Sequence, residues 1–231
     1  MEYQKINPKP LIMNNPNLIP KKDKAYYARE RSWPALFSIK EQSKVLDIGC
    51  GQGNLGAFLK QTFGCHVTGL DIIDENVQIA RKVLDIVIMG DIETMDLNEV
   101  LGPYDYIIFS DCLEHLLDPE KVLFRILRLL NSKDGELLIS IPNVRNFKVT
   151  LPLLLKDEWQ YTDEGLLDKT HLRFFTLKSI KRLLSHTGYQ VNQVKFNLPI
   201  SSKSGVLNQF TFGLFRNHLT SHYFIQSWPK K

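Results

Sequence analysis

Residues 45–56 read Val-Leu-Asp-Ile-Gly-Cys-Gly-Gln-Gly-Asn-Leu-Gly, and this stretch decides the fold. The segment 45–48 is apolar apart from Asp47, which favours a buried strand. Glycines then occupy alternate positions 49, 51 and 53, and glycine lets a backbone bend sharply and lets a ligand approach closely. The apolar residues that follow, from Leu55 to Leu59, predict a helix packed back on the strand. A strand, a glycine loop and a helix in this order predict a site for an adenosine-type cofactor.

The spacing of the glycines argues against a dinucleotide cofactor. A dinucleotide fingerprint needs G-x-G-x-x-G, with the pyrophosphate at the helix N-terminus. Counted from Gly49, the third glycine position holds Asn54; counted from Gly51, the pattern reaches Gly56 but begins two residues late. Asp47 lies at the end of the strand, where a carboxylate would repel a pyrophosphate and attract an ammonium group. S-adenosylmethionine carries an ammonium group and no phosphate, so it fits these residues better.

The pattern Asp47-x-Gly49-x-Gly51-x-Gly53 resembles motif I of the class I S-adenosylmethionine-dependent methyltransferases. The resemblance extends over residues 25–228. It implies that Asp47, Gly49, Gly51 and Gln52 bind the cofactor.

Composition is that of an ordinary globular protein. The chain has 231 residues, 43% hydrophobic and 23% charged, and no apolar run reaches transmembrane length. The N-terminus does not resemble a secretion signal, and the three cysteines show no metal-ligand spacing, so we expect reduced thiols and a cytoplasmic protein. The net charge is +4, and the excess of positive charge lies at the two ends of the chain. Without clustering on one element it does not predict nucleic-acid binding.

Acidic residues follow two further predicted strands. The strand 66–71 ends in Asp71, 20 residues after Gly51, where a carboxylate should accept hydrogen bonds from two ribose hydroxyls. The strand 84–89 precedes Gly-Asp-Ile at 90–92. The resemblance implies that Asp91 accepts a hydrogen bond from the adenine amino group, and that Ile72 and Ile92 belong to the same site.

The remaining strands complete the predicted sheet. A fourth strand, 104–109, opens onto Ser110 and Asp111, which we also assign to the cofactor site, and a fifth covers 135–141. Asp74, Asp118 and Thr176 are predicted helix caps, and Pro119 is predicted as the first residue of the helix after Asp118. Later segments predict a helix at 177–187, a strand at 189–196, a helix at 205–218 and a strand at 220–228.

The fold class is therefore α/β, with a doubly wound, seven-stranded, mostly parallel sheet. The resemblance implies that the last strand is antiparallel. Residues 143–175 interrupt the alternation and predict a substrate lid inserted after the fifth strand. Residues 1–22, rich in Pro and Asn, predict a flexible arm, and 23–231 a single domain.

The segment before motif I, 23–41, has a helical pattern that Pro34 interrupts. In methyltransferases of this type, such a segment often covers the cofactor. By that resemblance Tyr27 and Arg31 contact the methionine carboxylate, which suits the fork of an arginine. A surface ion pair is the alternative for Arg31.

Two later segments narrow the resemblance. Ser-Ile-Pro-Asn-Val-Arg-Asn at 140–146 and Gly-Leu-Leu-Asp-Lys-Thr-His-Leu-Arg-Phe-Phe-Thr at 165–176 are similar to bacterial methyltransferases associated with glycosyltransferases and cell-surface polysaccharide synthesis, and also to a methionine-biosynthesis branch. The resemblance implies a sugar or glycan precursor as the acceptor.

Methyl transfer to a hydroxyl needs a base, and His115 and His171 are the candidates because each lies in a loop expected to face the cofactor. Structural roles, at a helix start and within the lid, remain the alternatives. Asp111, Glu114 and His115 also form a set that could bind a divalent metal, as acids near this position do in the quinone O-methyltransferases they resemble. We expect no metal.

Three other functions stay open at this point. An N-methyltransferase acting on an amino sugar or another small molecule would need no strong base. A methyltransferase-fold protein could instead act as a binding or regulatory partner of a biosynthetic enzyme. A nicotinamide-dependent oxidoreductase is disfavoured by Asp47 and the glycine spacing. The sequence does not define the oligomeric state.

Overall fold

A computed structural model describes residues 33–198 and 202–230. Its centre is a seven-stranded sheet with the strand order β3-β2-β1-β4-β5-β7-β6. The strands are β1 Lys44–Ile48, β2 His66–Asp71, β3 Ile86–Met89, β4 Tyr106–Ser110, β5 Glu136–Pro142, β6 Tyr189–Phe196 and β7 His222–Pro229. Strands β1 to β5 pair in parallel, whereas β7 is antiparallel to both β5 and β6. The predicted fold class is confirmed.

Seven α-helices accompany the sheet in the described residues. They are α1 Asn54–Phe63, α2 Asp74–Ala80, α3 Pro119–Ile126, α4 Phe147–Lys156, α5 Leu177–His186, α6 Lys203–Phe210 and α7 Arg216–Leu219. Short 3-10 turns lie at Trp33–Leu36, Leu97–Glu99, Leu113–His115 and Leu127–Leu129. Among the described helices, none is long and apolar enough to cross a membrane.

Two hydrophobic clusters cover the two faces of the sheet. Leu46 and Ile107 belong to one cluster, and their neighbours Val45 and Ile108 belong to the other. Successive side chains of a strand point to opposite faces. Burial on both faces explains why these strands are continuous apolar runs, as parallel strands are.

The direction in which successive strands are added to the sheet reverses between β1 and β4. From β1 the chain moves outward to β2 and β3, then returns to β4 and β5 on the other side. Ligands of open α/β sheets bind beyond the carboxyl ends of the strands at such a point. The glycine loop that follows β1 lies there.

Two predicted helix caps, Asp118 and Thr176, are confirmed. Asp118 accepts a hydrogen bond from the amide of Lys121, and Pro119 is the first residue of α3. Thr176 and Ser179 form a reciprocal capping box at the start of α5. Both arrangements satisfy amides that a helix start otherwise leaves unpaired.

Other boundaries differ from the prediction. The helix predicted at 205–218 is two helices, because Phe212 and Gly213 between them have φ of 49° and 78°, outside the helical region. Asp74 is the first residue of α2 and not its cap. The inserted segment 143–175 contains the helix α4, which the sequence analysis did not predict. The arm at 1–22, and Tyr27 and Arg31, lie outside the described residues.

Candidate functional site

The glycine loop is held against the end of β2. The amides of Gly49 and Cys50 both donate to the carbonyl oxygen of Leu70, over 2.8 and 3.1 Å. Gly49 has φ +74°, and a Cβ there would lie 2.8 Å from the sulfur of Cys112. No other residue type fits this position without strain, so the sequence requires glycine here for both conformation and space.

Asp71 joins the end of β2 to the same loop. Its Oδ2 accepts a hydrogen bond from the amide of Gly51 over 2.8 Å, and its Oδ1 accepts one from the amide of Ile73 over 2.9 Å. Burial raises the pKa of this carboxyl, and these hydrogen bonds partly oppose that effect. The Asn76 side chain and the Ile72 amide also donate to this carboxylate. A ligand hydroxyl would therefore share its acceptor positions with these groups.

Four carboxylates from separate elements act on the thiol of Cys112. Burial, followed by the charges of Glu114, Asp71, Asp47 and Glu93, raises the pKa of that thiol. Asp47 is only 1% exposed and also helps to raise the pKa of Cys50, for which burial is the larger cause. The carboxyl ends of β1, β2 and β4 and the loop after β3 therefore surround one acidic region, which favours a cationic ligand over an anionic one.

The loop after β3 is fixed by its own acids. Asp91 accepts from the amide of Glu93 over 2.8 Å and from the hydroxyl of Thr94 over 3.2 Å. Glu93 accepts from the amides of Leu117 and Asp118, which attaches this loop to the start of α3. The structure thus gives Asp91 a structural role in its turn; its predicted contact with adenine stays a prediction.

The two predicted isoleucines differ in position. Ile92 is buried in the larger hydrophobic cluster, whereas Ile72, directly after β2, is 39% exposed. Gln52 is half-buried in the glycine loop.

Ser110 and Asp111 contact three distant parts of the chain. The Trp33 indole donates to Ser110 over 3.0 Å, and Trp33 stacks on Phe224 of β7 at 5.3 Å. Asp111, with φ 51°, accepts from the hydroxyl of Ser140 over 2.7 Å. The Nε2 atom of His222 lies 3.7 Å from the same carboxylate. No role for His222 follows from the sequence, because only the return of β7 beside β5 brings it here.

The inserted segment is anchored to the turn after β4. The amides of Leu172 and Arg173 both donate to the carbonyl of Glu114, over 2.8 and 3.0 Å. Nδ1 of His115 lies 3.0 Å from the carbonyl oxygen of Thr170. The end of the insertion is therefore packed on the site in this structure.

His115 and His171, from different elements, lie together. Their ring centroids are 4.9 Å apart, and Nδ1 of each ring faces a carbonyl oxygen, that of Thr170 or of Leu166. Because a carbonyl only accepts, each ring donates from Nδ1, and a neutral imidazole of this tautomer has its acceptor at Nε2. Nε2 of His171 lies 3.9 Å from the buried carboxylate of Glu114. The arrangement can accept a proton and stabilise the resulting cation.

The same three side chains could also hold a metal ion. Potential ligand atoms of Glu114, His115 and His171 lie within 4.8 Å of one another. Ligands on opposite sides of a magnesium ion are about 4.2 Å apart, so a small contraction would close the site. The set considered from the sequence contained Asp111, which instead bonds to Ser140.

The residues present suit S-adenosylmethionine. A glycine loop without side chains, a buried acid beside it at Asp47 and an acid at the end of β2 match its ammonium group and ribose. The residues that the sequence missed are Trp33, Glu93, Cys112 and His222, all of which act through contacts between distant segments.

Comparison with known proteins gives the family. The profile of the methyltransferase domain family matches residues 22–194. A ubiquinone biosynthesis O-methyltransferase of Aeromonas salmonicida is 30% identical over 179 residues, covering 74% of this chain and 71% of that protein. The mitochondrial ubiquinone biosynthesis O-methyltransferase of Bos taurus is 29% identical over 162 residues, covering 65% of this chain. This chain spans 42% of the bovine protein's length.

Solved structures agree on the fold. The crystal structure of a SAM-dependent methyltransferase from Archaeoglobus fulgidus has a TM-score of 0.61 at 20% identity, covering 88% of this chain and 92% of that one. The family match confirms two predictions made from the glycine loop and the acids, a SAM-dependent methyltransferase domain and S-adenosylmethionine as its cofactor. The chain belongs to the methyltransferase domain family.

Proposed function

We propose that this protein transfers a methyl group from S-adenosylmethionine to a hydroxyl of a small molecule. The observation that carries the proposal is the pair of imidazoles, 4.9 Å apart, with Nε2 of His171 3.9 Å from the buried Glu114 carboxylate, at the edge of the sheet where Asp47 and Asp71 are also buried. The acids suit the cofactor, and the imidazoles suit removal of a hydroxyl proton. The names of the relatives, ubiquinone biosynthesis O-methyltransferases, support an oxygen acceptor.

The cofactor would lie along the ends of β1, β2 and β4 and the loop after β3. Asp47 and the glycine loop would receive its amino-acid part, Asp71 its ribose, and Asp91, Ile72 and Ile92 its adenine. Further contacts assigned to the site are Gly49, Gly51, Gln52, Ser110, Asp111, Tyr27 and Arg31. When bound, S-adenosylmethionine supplies a methyl group activated by a sulfonium.

The protein's own part in the reaction is to position the acceptor and take its proton. Nε2 of His115 would accept the proton, since Nδ1 already donates to Thr170. His171 contacts His115 and lies 3.9 Å from Glu114. A buried carboxylate at that distance favours a positive charge on the imidazole pair.

Two classes of acceptor have support. The resemblance at 140–146 and 165–176 favours a sugar or glycan precursor, whereas the names of the relatives favour a quinone precursor. Phe174 lies beside His171, and Trp159 and Tyr161 pack on Phe174 at 5.3 and 6.3 Å. This aromatic lining supports a planar phenolic ring or the flat face of a sugar.

Product analysis tests the proposal. Purified protein would be incubated with methyl-labelled S-adenosylmethionine and each of two acceptor sets, catechols and nucleotide sugars. The proposal expects label in an acid-stable methyl ether of one set, and loss of that product in His115→Ala. Label on an amine would favour the N-methyltransferase alternative. Cofactor binding without labelled product from any acceptor would favour a binding role.

We also place the protein in the cytoplasm. All three cysteines, Cys50, Cys65 and Cys112, are free thiols, which is typical of a reducing compartment.

A further inference from the structure

The helices α4 and α6, and the turn 211–215 that follows α6, expose large apolar side chains. In a soluble protein, contiguous exposed apolar areas larger than a few hundred square ångströms usually mark an interaction site. Here one group of such side chains is at least three-quarters exposed. We call it the apolar face: Leu154 (78%), Leu155 (77%), Phe210 (79%), Phe212 (98%) and Leu214 (78%).

Direct contacts join the start of α4 to the segment 215–220, so the two elements that carry the apolar face are held together. Phe147, the first residue of α4, stacks on His218 of α7 at 5.0 Å and lies 6.2 Å from Phe215. Buried Asn143 and Asn146 donate hydrogen bonds to backbone carbonyls of residues 217, 219 and 220. The start of α4 and the helix α7 are therefore fixed against each other at the carboxyl end of β5.

The backbone presents these side chains outward. Phe212 has φ 49°, a left-handed conformation that bulky residues rarely adopt, and Gly213 follows at 78°. This turn places Phe212 at the tip between α6 and α7, where it is almost fully exposed. In α4, Leu153, Leu154 and Leu155 are consecutive, so one helix face cannot bury them all.

Basic residues lie along both parts of the apolar face. Lys148 and Lys156 in α4, Lys203 in α6 and Arg216 in α7 are exposed. From Lys169 to Lys231 the sequence contains ten Lys and Arg residues and no Asp or Glu. The adjoining loop is the exception, with exposed Asp157, Glu158, Asp163 and Glu164, of which Asp163 pairs with Lys169.

We propose that the apolar face docks on the surface of an anionic phospholipid bilayer. Leucine and phenylalanine side chains would enter the interface between headgroups and acyl chains, and the lysines would face the lipid phosphates. A lipid surface fits better than a protein partner, because lysine is depleted in protein interfaces. The docking is peripheral and does not depend on the reaction proposed above.

The docked face is connected to the candidate site. α4 leads into the segment that carries Trp159, and rings then follow one another from Trp159 to Phe174, His171 and His115 at 5.3, 6.3 and 4.9 Å. A bilayer on this side would lie next to the segment that carries His171.

Vesicle flotation of the full chain tests the proposal. Vesicles of phosphatidylcholine alone would be compared with vesicles containing a third phosphatidylglycerol. The protein should float with the anionic vesicles, and less so as salt is raised. The double variant Phe210→Ser, Phe212→Ser should lose about tenfold or more in partitioning, since each ring removes apolar area from the interface.

A matched control uses Phe124, a 62% exposed phenylalanine of α3, outside the apolar face. Phe124→Ser should float as the natural protein does, and circular dichroism would confirm that all variants fold. Absence of flotation, or equal flotation of the double variant and the natural protein, would overturn the proposal. If the natural protein does not float but is a dimer in lipid-free solution, and the double variant alone is a monomer, the apolar face is instead an interface between two copies of the chain.

Discussion

The Asp71 carboxylate at the end of β2 accepts a hydrogen bond from the Gly51 amide in the loop after β1, over 2.8 Å. One side chain therefore fixes the loop and presents a carboxylate beside it. Asp71 also accepts from the amide of Ile73, which orients the start of α2. Two motifs 20 residues apart in the sequence are thus parts of one binding surface.

Replacing the buried acids should weaken cofactor binding. Asp47→Asn and Asp71→Asn keep the shape of the side chains but remove the charges that suit an ammonium group and ribose hydroxyls. We expect each to reduce affinity for S-adenosylhomocysteine by at least about tenfold, or about 1.4 kcal/mol. Isothermal titration calorimetry measures this directly.

Asp74→Asn is the matched control, since Asp74 is an exposed acid on the first turn of α2. It should bind with unchanged affinity. If all three variants bind equally well, the two buried acids do not hold the cofactor.

Cofactor affinity should fall at mildly acidic pH. Burial raises the pKa of Asp71, so this carboxylate takes up a proton at a higher pH than an ordinary aspartate. A protonated carboxyl is a weaker acceptor for ribose hydroxyls, so affinity should decrease as pH falls through the raised pKa. Titrations from pH 7.5 down to about pH 4.5, near the reference range of carboxyls, would show the decrease, and Asp71→Asn should flatten it.

The effect of Asp71 on stability has the opposite sign. Because its pKa is raised in the folded protein, folding favours the neutral form. The stability it contributes is present below its unfolded pKa and is lost as pH rises through its folded pKa. Asp71→Asn should therefore gain most in stability, relative to the natural protein, at neutral pH. If the stability of the natural protein, relative to that of Asp71→Asn, instead rises with pH, the pKa of Asp71 is not raised in the folded protein.

Gly49→Ala should destabilise the protein through two separable causes. The new residue must adopt φ +74°, and its Cβ would lie 2.8 Å from the sulfur of Cys112. We expect a loss of about 2 kcal/mol or more in the free energy of unfolding, measured with urea. Adding Cys112→Ala removes the sulfur, so the double variant should recover part of the loss, and the conformational part should remain. If the losses of stability in Gly49→Ala and Cys112→Ala are additive in the double variant, the contact between the new Cβ and the Cys112 sulfur is not responsible.

The imidazole pair should have unequal roles. If Nε2 of His115 takes the proton, His115→Ala should lower kcat by about 100-fold or more, within the usual range for a general base. His171→Ala should lower kcat less and change its pH dependence, because His171 contacts His115 and Glu114. If His115→Ala and His171→Ala instead raise KM equally and leave kcat unchanged, both residues act in acceptor binding.

A chelator separates the base from a metal. Because we expect no metal, kcat should not change with a chelator present. Inactivation that magnesium reverses would mean that Glu114, His115 and His171 hold a cation.

The glycine loop and the acids after the strands were predictable because their signals are local. A strand, its terminal carboxylate and the next loop are contiguous in the sequence, and parallel strands bring their carboxyl ends together without further information. The cap at Asp118 and the capping box at Thr176 are local in the same sense.

Contacts made by the returning C-terminal part were not predictable in this way. The position of His222 near Asp111 depends on the antiparallel placement of β7 beside β5. Asn143 and Asn146 were expected to begin the lid, but their side-chain amides donate to carbonyls of α7 and Thr220. The break at Phe212 was hidden by a pattern compatible with one helix, since only the single Gly213 marks it.

Calorimetric titration of the purified protein with S-adenosylhomocysteine, with NAD as the control ligand, tests the central claim most directly. We expect micromolar binding of S-adenosylhomocysteine, weaker binding by Asp47→Asn, and no binding of NAD. A folded protein that binds NAD, or that binds neither ligand, would contradict it.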